Sequence, residues 1–577
     1  MFAMRLIAAG ATDTDFLAAL PFSSAAPDEL SGAARRGDLP GFVAALAEHW
    51  KRRGFNGPPA DHDGLTTLRR GDVAARRPYD RFDSGDLSEL ANSLATFPRA
   101  VQDLPPRSFF KLVRQSLTAL DNHSTPASPI DDATPDRHLI ARAELPFTAG
   151  TLFDMFQGAA AARERGVREF HTQLFDDTDS TGAPQARLMA VLPQWLAAFV
   201  RVARLAASLK TPLFTGEAVR RIEDLAKQLP RMFDARGGLP FCDPPCLAVQ
   251  QFLDEVPAAL RKACSSAGQA AHNGAANGSP RRGRRAGLPK VQSQSLKQTV
   301  ALHAPDSRWA CLRSETVAGS DRLCVLYHQS QPTIELTTPL GPVLRGPWTL
   351  EVSVDGCALP MAGEWNCACW HSDNDVEYLE LQWVGEAGLR IERQILLSRG
   401  GHFAMLADTV AETPGARLDY RMRLPLAAGV TAEADAATRE CRLVHGRERI
   451  RVFGLALPQD RVQSTPGGLS PHGGALELRQ SAAGNGLYAP LVFDWNPSRR
   501  RGDADWRTLT ITEEGRILPG SQAAGHRLRL AGQQLLIYHS LVKSSEPRAV
   551  LGHNTRFETV IGMIQASGEI VPLMLVE

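Results

Sequence analysis

The stretch SSAGQAAHNGAANGSPRRGRRAGLPK, residues Ser265–Lys290, divides the chain into two unlike halves. Before it, apolar residues recur with the spacing of helices, and after about residue 308 they recur with the spacing of strands. The stretch itself shows neither period, and its Gly, Asn, Ser and Arg residues cannot bury enough apolar surface to offset the entropy of ordering. We therefore predict a flexible basic linker that trypsin cuts first at Arg281–Arg285.

The change of period predicts a multidomain α+β protein with four segments. These are a poorly defined N-terminal segment (1–83), a helical domain (84–264), the linker (265–308) and an antiparallel β-sandwich domain (309–577). A chain of 577 residues is too long for one core, because single cores stop growing at about 250–300 residues.

The helical half carries apolar stripes with three- and four-residue steps. The clearest stripe comprises Leu188, Val191, Trp195, Phe199, Val202, Leu205 and Leu209. A second stripe begins at Val219 after a break, which predicts two amphipathic helices in an antiparallel hairpin. Hairpins laid side by side build a solenoid or an α/α toroid, and the lack of a fixed-period repeat weighs against a solenoid.

The second half contains about a dozen strand-like runs bounded by Gly, Pro, Asn or Asp. Without helices between them, these runs predict antiparallel sheets packed face to face. The alternation of Leu389 and Ile391 with polar neighbours, among them Glu392 and Arg393, predicts one solvated face for each sheet.

Composition excludes some classes of protein. With 64 Lys and Arg against 63 Asp and Glu, the net charge of +1 gives no global attraction to nucleic acid. No apolar run is long enough for a membrane span, and the first residues lack a clear secretory signal, so the cytoplasm is the default compartment. Nine scattered cysteines give no convincing zinc spacing. We predict no metal and no cofactor.

Several stretches resemble the heparinase II/III-like family of polysaccharide lyases. The region Trp309–Pro347 resembles the family's Arg-Ser strand, its His-x-Asp motif and the strand after it, at Arg313, Ser314, His328 and Ile334–Leu336. Leu389–Val410 resembles a pair of strands joined at an Arg-Gly-Gly turn, and Asp179–Leu188 resembles a helix start that lines a cleft. The resemblance implies an incomplete α/α toroid followed by a β-supersandwich, with an acidic polysaccharide as partner.

Two positions depart from the family pattern. Ser330 stands where the His-x-Asp motif has its Asp, and Pro184-Gln185-Ala186 contains neither the Tyr nor the His of active members. These departures leave open an alternative function, in which the protein is a catalytically degenerate carbohydrate-binding or scaffold protein of the same architecture.

A lyase must remove a proton beside a uronate carboxylate, stabilise the resulting enolate and protonate the leaving oxygen. The catalytic candidates are His328, Tyr327 and Arg313, although adjacent strand residues such as Tyr327 and His328 point to opposite faces. The candidate substrate-binding residues are Asp179, Gln185, Arg187 and His371.

Simpler interpretations stand beside each of these roles. His328 can be an ordinary histidine at a strand end, and the acidic run after His371 can be a polar turn. Tryptophans such as Trp348, Trp365 and Trp370 can stack on sugar rings, but core packing is the more frequent role. A glycoside hydrolase of similar architecture would need two facing carboxylates, and no convincing pair is evident. Whether the protein is an enzyme is left open by the sequence.

Overall fold

The computed structural model divides the chain into two compact units, which are described separately. Unit 1 comprises residues 1–230 and 242–291, and unit 2 comprises residues 231–241 and 292–577. The structure describes residues 12–55, 86–122, 134–207, 213–214, 216–234, 237–243, 247–258, 301–315, 320–385 and 388–577. The linker stretch Ser265–Lys290 and its predicted tryptic sites lie outside these residues.

Unit 1 is helical throughout its described part. Its helices are α1 (Asp13–Ala18), α2 (Asp28–Arg35), α3 (Leu39–Arg52), α4 (Leu87–Asp103), α5 (Pro106–Asn122), α6 (Pro135–Leu139), α7 (Leu145–Leu152), α8 (Ala159–Asp176), α9 (Leu192–Ala206) and α10 (Glu217–Gln228), followed by a helix over 247–258. Residues Ile140–Glu144 form a π turn that joins α6 to α7, and Ala186–Leu188 and Leu229–Met232 are short 3₁₀ turns.

The core of unit 1 depends on aromatic packing and on close helix contact. Trp50 lies against Phe97, Phe109 and Phe153, and its indole nitrogen donates to the carbonyl of Leu152 at 2.8 Å. Helices α7 and α8 approach so closely that a Cβ at Gly150 would lie 2.5 Å from the Ala159 carbonyl oxygen. This position therefore requires glycine.

Unit 2 is an antiparallel β structure with four sheets. Sheet 1 contains β1 (Leu302–Ala304), β2 (Trp309–Arg313), β3 (Arg322–Leu326), β4 (Thr333–Thr338) and β5 (Gly341–Pro347), in that order. Sheet 2 contains β6 (Thr349–Val354), β7 (Cys357–Ala358), β8 (Asn366–Ser372), β9 (Val376–Val384), β10 (Arg390–Ser398), β11 (Phe403–Pro425), β12 (Thr431–Ala434), β13 (Cys441–His445), β14 (Glu448–Gly454), β15 (Gly468–His472) and β16 (Ala475–Asp494).

The two remaining sheets come from the C-terminal part of unit 2. Sheet 3 and sheet 4 are built from β17 (Ala504–Thr508), β18 (Ile511–Glu513), β19 (Arg516–Ile517), β20 (Ala523–Leu530), β21 (Gln533–Ser540), β22 (Arg548–Val550), β23 (His553–Thr555), β24 (Thr559–Ile564) and β25 (Ile570–Val576). The strand order is β17-β20-β21-β24-β25 in sheet 3 and β19-β18-β22-β23 in sheet 4.

The four sheets stack in four layers, because successive side chains along a strand point to opposite faces and pack against the sheets on either side. One apolar cluster joins sheet 1 to sheet 2 and includes Ile334 and Ile395, whereas Leu396 belongs to a second cluster that joins sheet 2 to sheet 3. Along β21, Ile537 contributes to that second cluster, and Leu536 contributes to a third one between sheets 3 and 4. Sheets 2 and 3 are therefore covered on both faces.

The prediction of one solvated face for each sheet is consequently wrong for the central part of sheet 2. Glu392 and Arg393 are buried. The Arg393 guanidinium lies over the rings of Trp348 and Trp365, at 4.2 and 4.9 Å from their centroids, and pairs with Asp408 at 3.0 Å. Because an internal ion pair can hold a buried charge such as that of Arg393, a polar residue on this strand does not mark a solvated face.

Residues 231–241 belong to unit 2 because buried polar groups hold them against sheet 1. The Arg322 guanidinium donates to the carbonyls of Met232 and Gly238 at 2.7 and 2.9 Å. The Phe241 amide donates to a carboxylate oxygen of Glu335 at 2.9 Å. The unit boundary is thus set by side chains in β3 and β4 and not by the change of secondary structure.

The predicted fold class is confirmed: helices precede a large antiparallel β region. The described residues within 1–83, a segment that the sequence analysis left poorly defined, contain three helices, and β1 lies within the predicted linker 265–308. A three-residue strand is too short for its period to be recognised. No helix among the described residues has the length and apolarity that crossing a membrane requires.

A buried histidine makes the stability of unit 2 depend on pH. Burial in β20 lowers the pKa of His526 from 6.5 to about 4, an effect that the nearby Leu455 carbonyl partly offsets. The unfolded chain therefore takes up a proton before the folded chain does. The stability that neutral His526 contributes is present above about pH 6.5 and is lost as the pH falls towards about 4, a loss of about 3 kcal/mol.

We expect His526→Leu to remove this part of the acid sensitivity. Urea unfolding at pH 7, 5.5 and 4.5 measures it, and His472→Ala, which changes an exposed side chain in β15, is the control. Equal losses of unfolding free energy in His526→Leu and the parent protein between pH 6.5 and 4 would contradict the assignment.

Candidate functional site

The catalytic candidates Tyr327 and His328 lie just beyond the end of β3. Tyr327 is buried in the cluster between sheets 1 and 2, and its amide donates to the Arg308 carbonyl at 2.9 Å. His328 is partly exposed. Burial raises the pKa of Tyr327, so its phenol stays protonated at neutral pH.

The loop that carries His328 is fixed on both sides. The Trp365 indole nitrogen donates to the carbonyl of Ser330 at 2.8 Å. Gln331 accepts from the Leu350 amide at 3.0 Å. The side chain of Ser330 is exposed and supplies no carboxylate where the resemblance implies one. His328 is thus presented on an anchored loop, which limits its freedom to reorient.

Arg313, the predicted partner of a substrate carboxylate, lies far from His328 along sheet 1. It pairs with Arg322 at one end of the β2–β3 ladder, whereas Trp309 pairs with Leu326 at the other end. Four strand residues separate the two ends, which corresponds to about 13 Å. The Arg313 guanidinium donates to the Arg231 carbonyl and to Ser320 Oγ. Arg313 therefore holds protein groups, and the structure does not bring it to His328.

A buried ion network occupies the same region of sheet 1. Glu335, which is fully buried, pairs with Arg322 at 2.7 Å and with Arg345 at 2.7 Å. Arg345 is partly exposed. Cys311 and Cys324 face each other across β2 and β3, with their sulfur atoms 2.9 Å apart. Burial and the Cys311 thiol raise the pKa of Cys324.

At the edge between sheets 1 and 2, Trp370, which the sequence analysis named, pairs with His303, which it missed. His303 in β1 stacks on Trp370 in β8, with ring centroids 4.8 Å apart. His303 Nε2 lies 3.2 Å from the Tyr327 hydroxyl, and burial lowers the pKa of His303. A neutral imidazole and a protonated phenol can share one hydrogen bond here, and the tautomer of His303 sets which of them donates. Both rings of the stacked pair are partly exposed.

His371 serves a local turn. Its Nε2 lies 2.9 Å from a carboxylate oxygen of Asp373, and the other carboxylate oxygen accepts from the amides of Asp375 and Val376. This is the polar turn that the sequence analysis weighed against a binding role. His371 also neighbours Trp370 on the opposite face of β8, because successive strand residues alternate.

The three candidates in unit 1 lie around a compact loop after α8. The Asp179 carboxylate accepts from the amides of Thr181 and Ala183 at 2.9 and 3.0 Å and so closes the turn. The Arg187 guanidinium pairs with the buried Asp177 carboxylate at 2.8 Å. The backbone amide of Gln185 donates to the backbone carbonyl of Asp177. Within unit 1, Asp179 and Arg187 thus stabilise this loop, and Arg187 is also partly exposed.

The fold of this chain, helices followed by a large antiparallel β region, matches the architecture of solved heparinase-type lyases. Among solved structures, it is similar to heparinase III, with a TM-score of 0.51 and 12% identity over 89% of this chain and 81% of that one. It is also similar to the heparan sulfate lyase HepC of Pedobacter heparinus, with a TM-score of 0.50 and 11% identity over 92% of this chain and 100% of that one.

A second heparinase III structure, with methylated lysines, gives a TM-score of 0.50 at 11% identity over 89% of this chain and 82% of that one. No protein-family model and no curated protein sequence matches the chain. The resemblance to the heparinase II/III-like family that the sequence suggested is therefore confirmed at the level of the fold.

Proposed function

We propose that this protein is a polysaccharide lyase that cleaves a uronate-containing polysaccharide by β-elimination. The observation that carries the proposal is the position of His328, which is partly exposed on an anchored loop at the end of β3 within a heparinase III fold. Lyase chemistry needs a proton acceptor that is held in place, and the anchored loop that carries His328 supports this role.

In the proposed reaction, His328 removes the proton on the carbon beside the uronate carboxylate. The electron pair forms the ring double bond as the glycosidic oxygen leaves. The imidazolium then returns the same proton to that oxygen, so one group serves as base and acid and the atoms balance. Since the Arg313 guanidinium is held by protein groups, the proposal assigns stabilisation of the enolate charge to a cation other than Arg313.

A second function, carbohydrate binding without cleavage, is favoured by a different set of observations. Tyr327 is buried in a core cluster, Arg313 is engaged, and Ser330 supplies no carboxylate. The stacked His303–Trp370 pair offers a partly exposed aromatic surface, which suits a sugar ring because such surfaces pack well against apolar sugar faces.

Ultraviolet absorbance distinguishes the two functions, since elimination leaves an unsaturated uronate that absorbs, whereas binding without cleavage leaves the polymer unchanged. We expect purified protein to generate this absorbance from heparan-, chondroitin- or alginate-type polymers. A neutral polymer such as dextran is the control. Binding of an acidic polymer without any absorbance change would contradict the lyase proposal and support the second function. Reducing ends released without absorbance would indicate a hydrolase and contradict both.

A further inference from the structure

A compact polar cluster lies between sheets 2 and 3, away from the end of β3. It comprises Glu392 in β10, His539 in β21 and Glu558, which directly precedes β24. Their ligand atoms all lie within 4.8 Å of one another. Glu392 and His539 are almost fully buried, and Glu558 is partly exposed.

Two atoms of this cluster face each other without a hydrogen bond. His539 Nε2 and Glu392 Oε2 are 3.5 Å apart, and neither makes a hydrogen bond to any described group. Because burying such atoms without partners costs roughly 1–3 kcal/mol each or more for charged groups, the two atoms need either a proton or a metal cation between them.

The surrounding hydrogen bonds orient the imidazole. The Tyr488 hydroxyl donates to Gln394 Oε1 at 2.9 Å, which turns the Gln394 amide nitrogen towards Thr559 Oγ1, also at 2.9 Å. His539 Nδ1 lies 2.9 Å from the same Thr559 oxygen and 3.2 Å from the Gln394 amide nitrogen, so it can donate to Thr559 or accept from Gln394. If Nδ1 carries the proton and donates to Thr559, the lone pair of Nε2 points towards the carboxylates. Metal-bound histidines are typically held in this way.

We propose that Glu392, His539 and Glu558 bind one divalent transition-metal ion, with Zn²⁺ the preferred occupant. One imidazole and two carboxylates form a donor set that suits zinc, whereas Ca²⁺ and Mg²⁺ prefer oxygen ligands alone. Tetrahedral bonds of about 2.0–2.1 Å place donor atoms roughly 3.3 Å apart, close to the 3.5 Å between His539 Nε2 and Glu392 Oε2. Glu558, being partly exposed, can close the remaining distance, and a solvent molecule would complete the coordination.

Arg390 is the neighbouring cation that could compete with the metal. Its guanidinium contacts Glu392 Oε1 at 3.0 Å and Glu558 Oε1 at 3.7 Å. The second oxygen of Glu392 faces His539 instead, so the arginine and the ion use different oxygens of this carboxylate. The bound ion would then join sheet 2 to sheet 3 and stabilise the stack.

The test uses the untagged, full-length protein after treatment with EDTA and dialysis. We expect it to bind one Zn²⁺ per chain by elemental analysis, and to bind Co²⁺ with visible absorbance bands typical of low coordination number. Zinc at 100-fold excess over its Kd should raise the Tm by about 5–10 °C. Glu558→Gln should lower the affinity at least tenfold. His539→Gln should abolish binding.

His526→Leu is the matched control. His526 and His539 are both buried and both stack on Tyr488, but His526 does not belong to the cluster. It should retain one ion per chain. No stoichiometric zinc in the parent protein would overturn the proposal and indicate an imidazolium–carboxylate pair. Binding that Glu558→Gln and His539→Gln leave unchanged would overturn it too, since the ion would then lie elsewhere. If His539→Gln fails to fold, Glu558→Gln still decides the question.

Discussion

Replacement of His328 by Ala is expected to lower the rate of eliminative cleavage about 10²- to 10⁴-fold, the usual contribution of a positioned general base. The free energy of unfolding should change little, by about 1 kcal/mol or less, because a partly exposed side chain at a strand end contributes little packing. The loop should stay in place, since Trp365 and Gln331 hold it through other residues.

The measurement is the initial rate of absorbance increase on the polymer that the parent protein cleaves best. His328→Gln keeps the size of the side chain without its basicity and should be as slow as His328→Ala. His472→Ala, an exposed histidine in β15, should cleave at the parental rate. A His328→Ala protein that retains parental activity would end the catalytic assignment, and the proton acceptor would then have to be sought elsewhere.

Glu335→Gln is expected to destabilise unit 2 by about 3–5 kcal/mol, the range for removing one partner of a buried ion pair. Glu335 is fully buried and pairs with both Arg322 and Arg345. Arg322, itself almost fully buried, would lose its only carboxylate within 3 Å among the described residues. Its charge would remain in the interior with the Asp234 carboxylate at 3.9 Å and backbone carbonyls as partners.

Urea unfolding followed by circular dichroism measures this loss. Glu351→Gln removes a carboxylate from an exposed pair with Arg421 and should cost about 0–1 kcal/mol. Hydrogen exchange gives a local readout, because the Phe241 amide donates to Glu335 and should exchange faster in Glu335→Gln. Equal losses in the two variants would show that the buried network contributes no more than a surface pair.

The sequence predicted the class of fold because the period of apolar residues is a local property. The stripe that contains Trp195 and Phe199 forms α9, and the alternation around Leu536 and Ile537 forms β21. The number of layers could not be predicted in this way. Arg393 appeared to mark a solvated face, but its partners Asp408 and Trp348 lie 15 and 45 residues away in sequence, and no local pattern reveals that contact.

The candidate site was predictable only in part. The position of His328 at a strand end followed from the strand pattern before it and from Pro332 after it. The position of Arg313 did not, because the register of β2 and β3 places it about four residues from that end. His303 was missed, since it lies in a three-residue strand within the predicted linker 265–308. The turn residues Pro305 and Asp306 between it and Trp309 were the available signal.

The placement of residues 231–241 has a consequence for dividing the protein into fragments. The ribosome makes these residues before any strand of unit 2, and the chain then returns to unit 1 before the linker. A fragment beginning at residue 292 would keep Arg322 but lack the carbonyls of Met232 and Gly238. A fragment ending at residue 291 would contain residues 231–241 without the strands of unit 2 that they contact. The boundary visible in the sequence is therefore the wrong place to divide the chain, because either fragment would separate residues 231–241 from the strands that they contact.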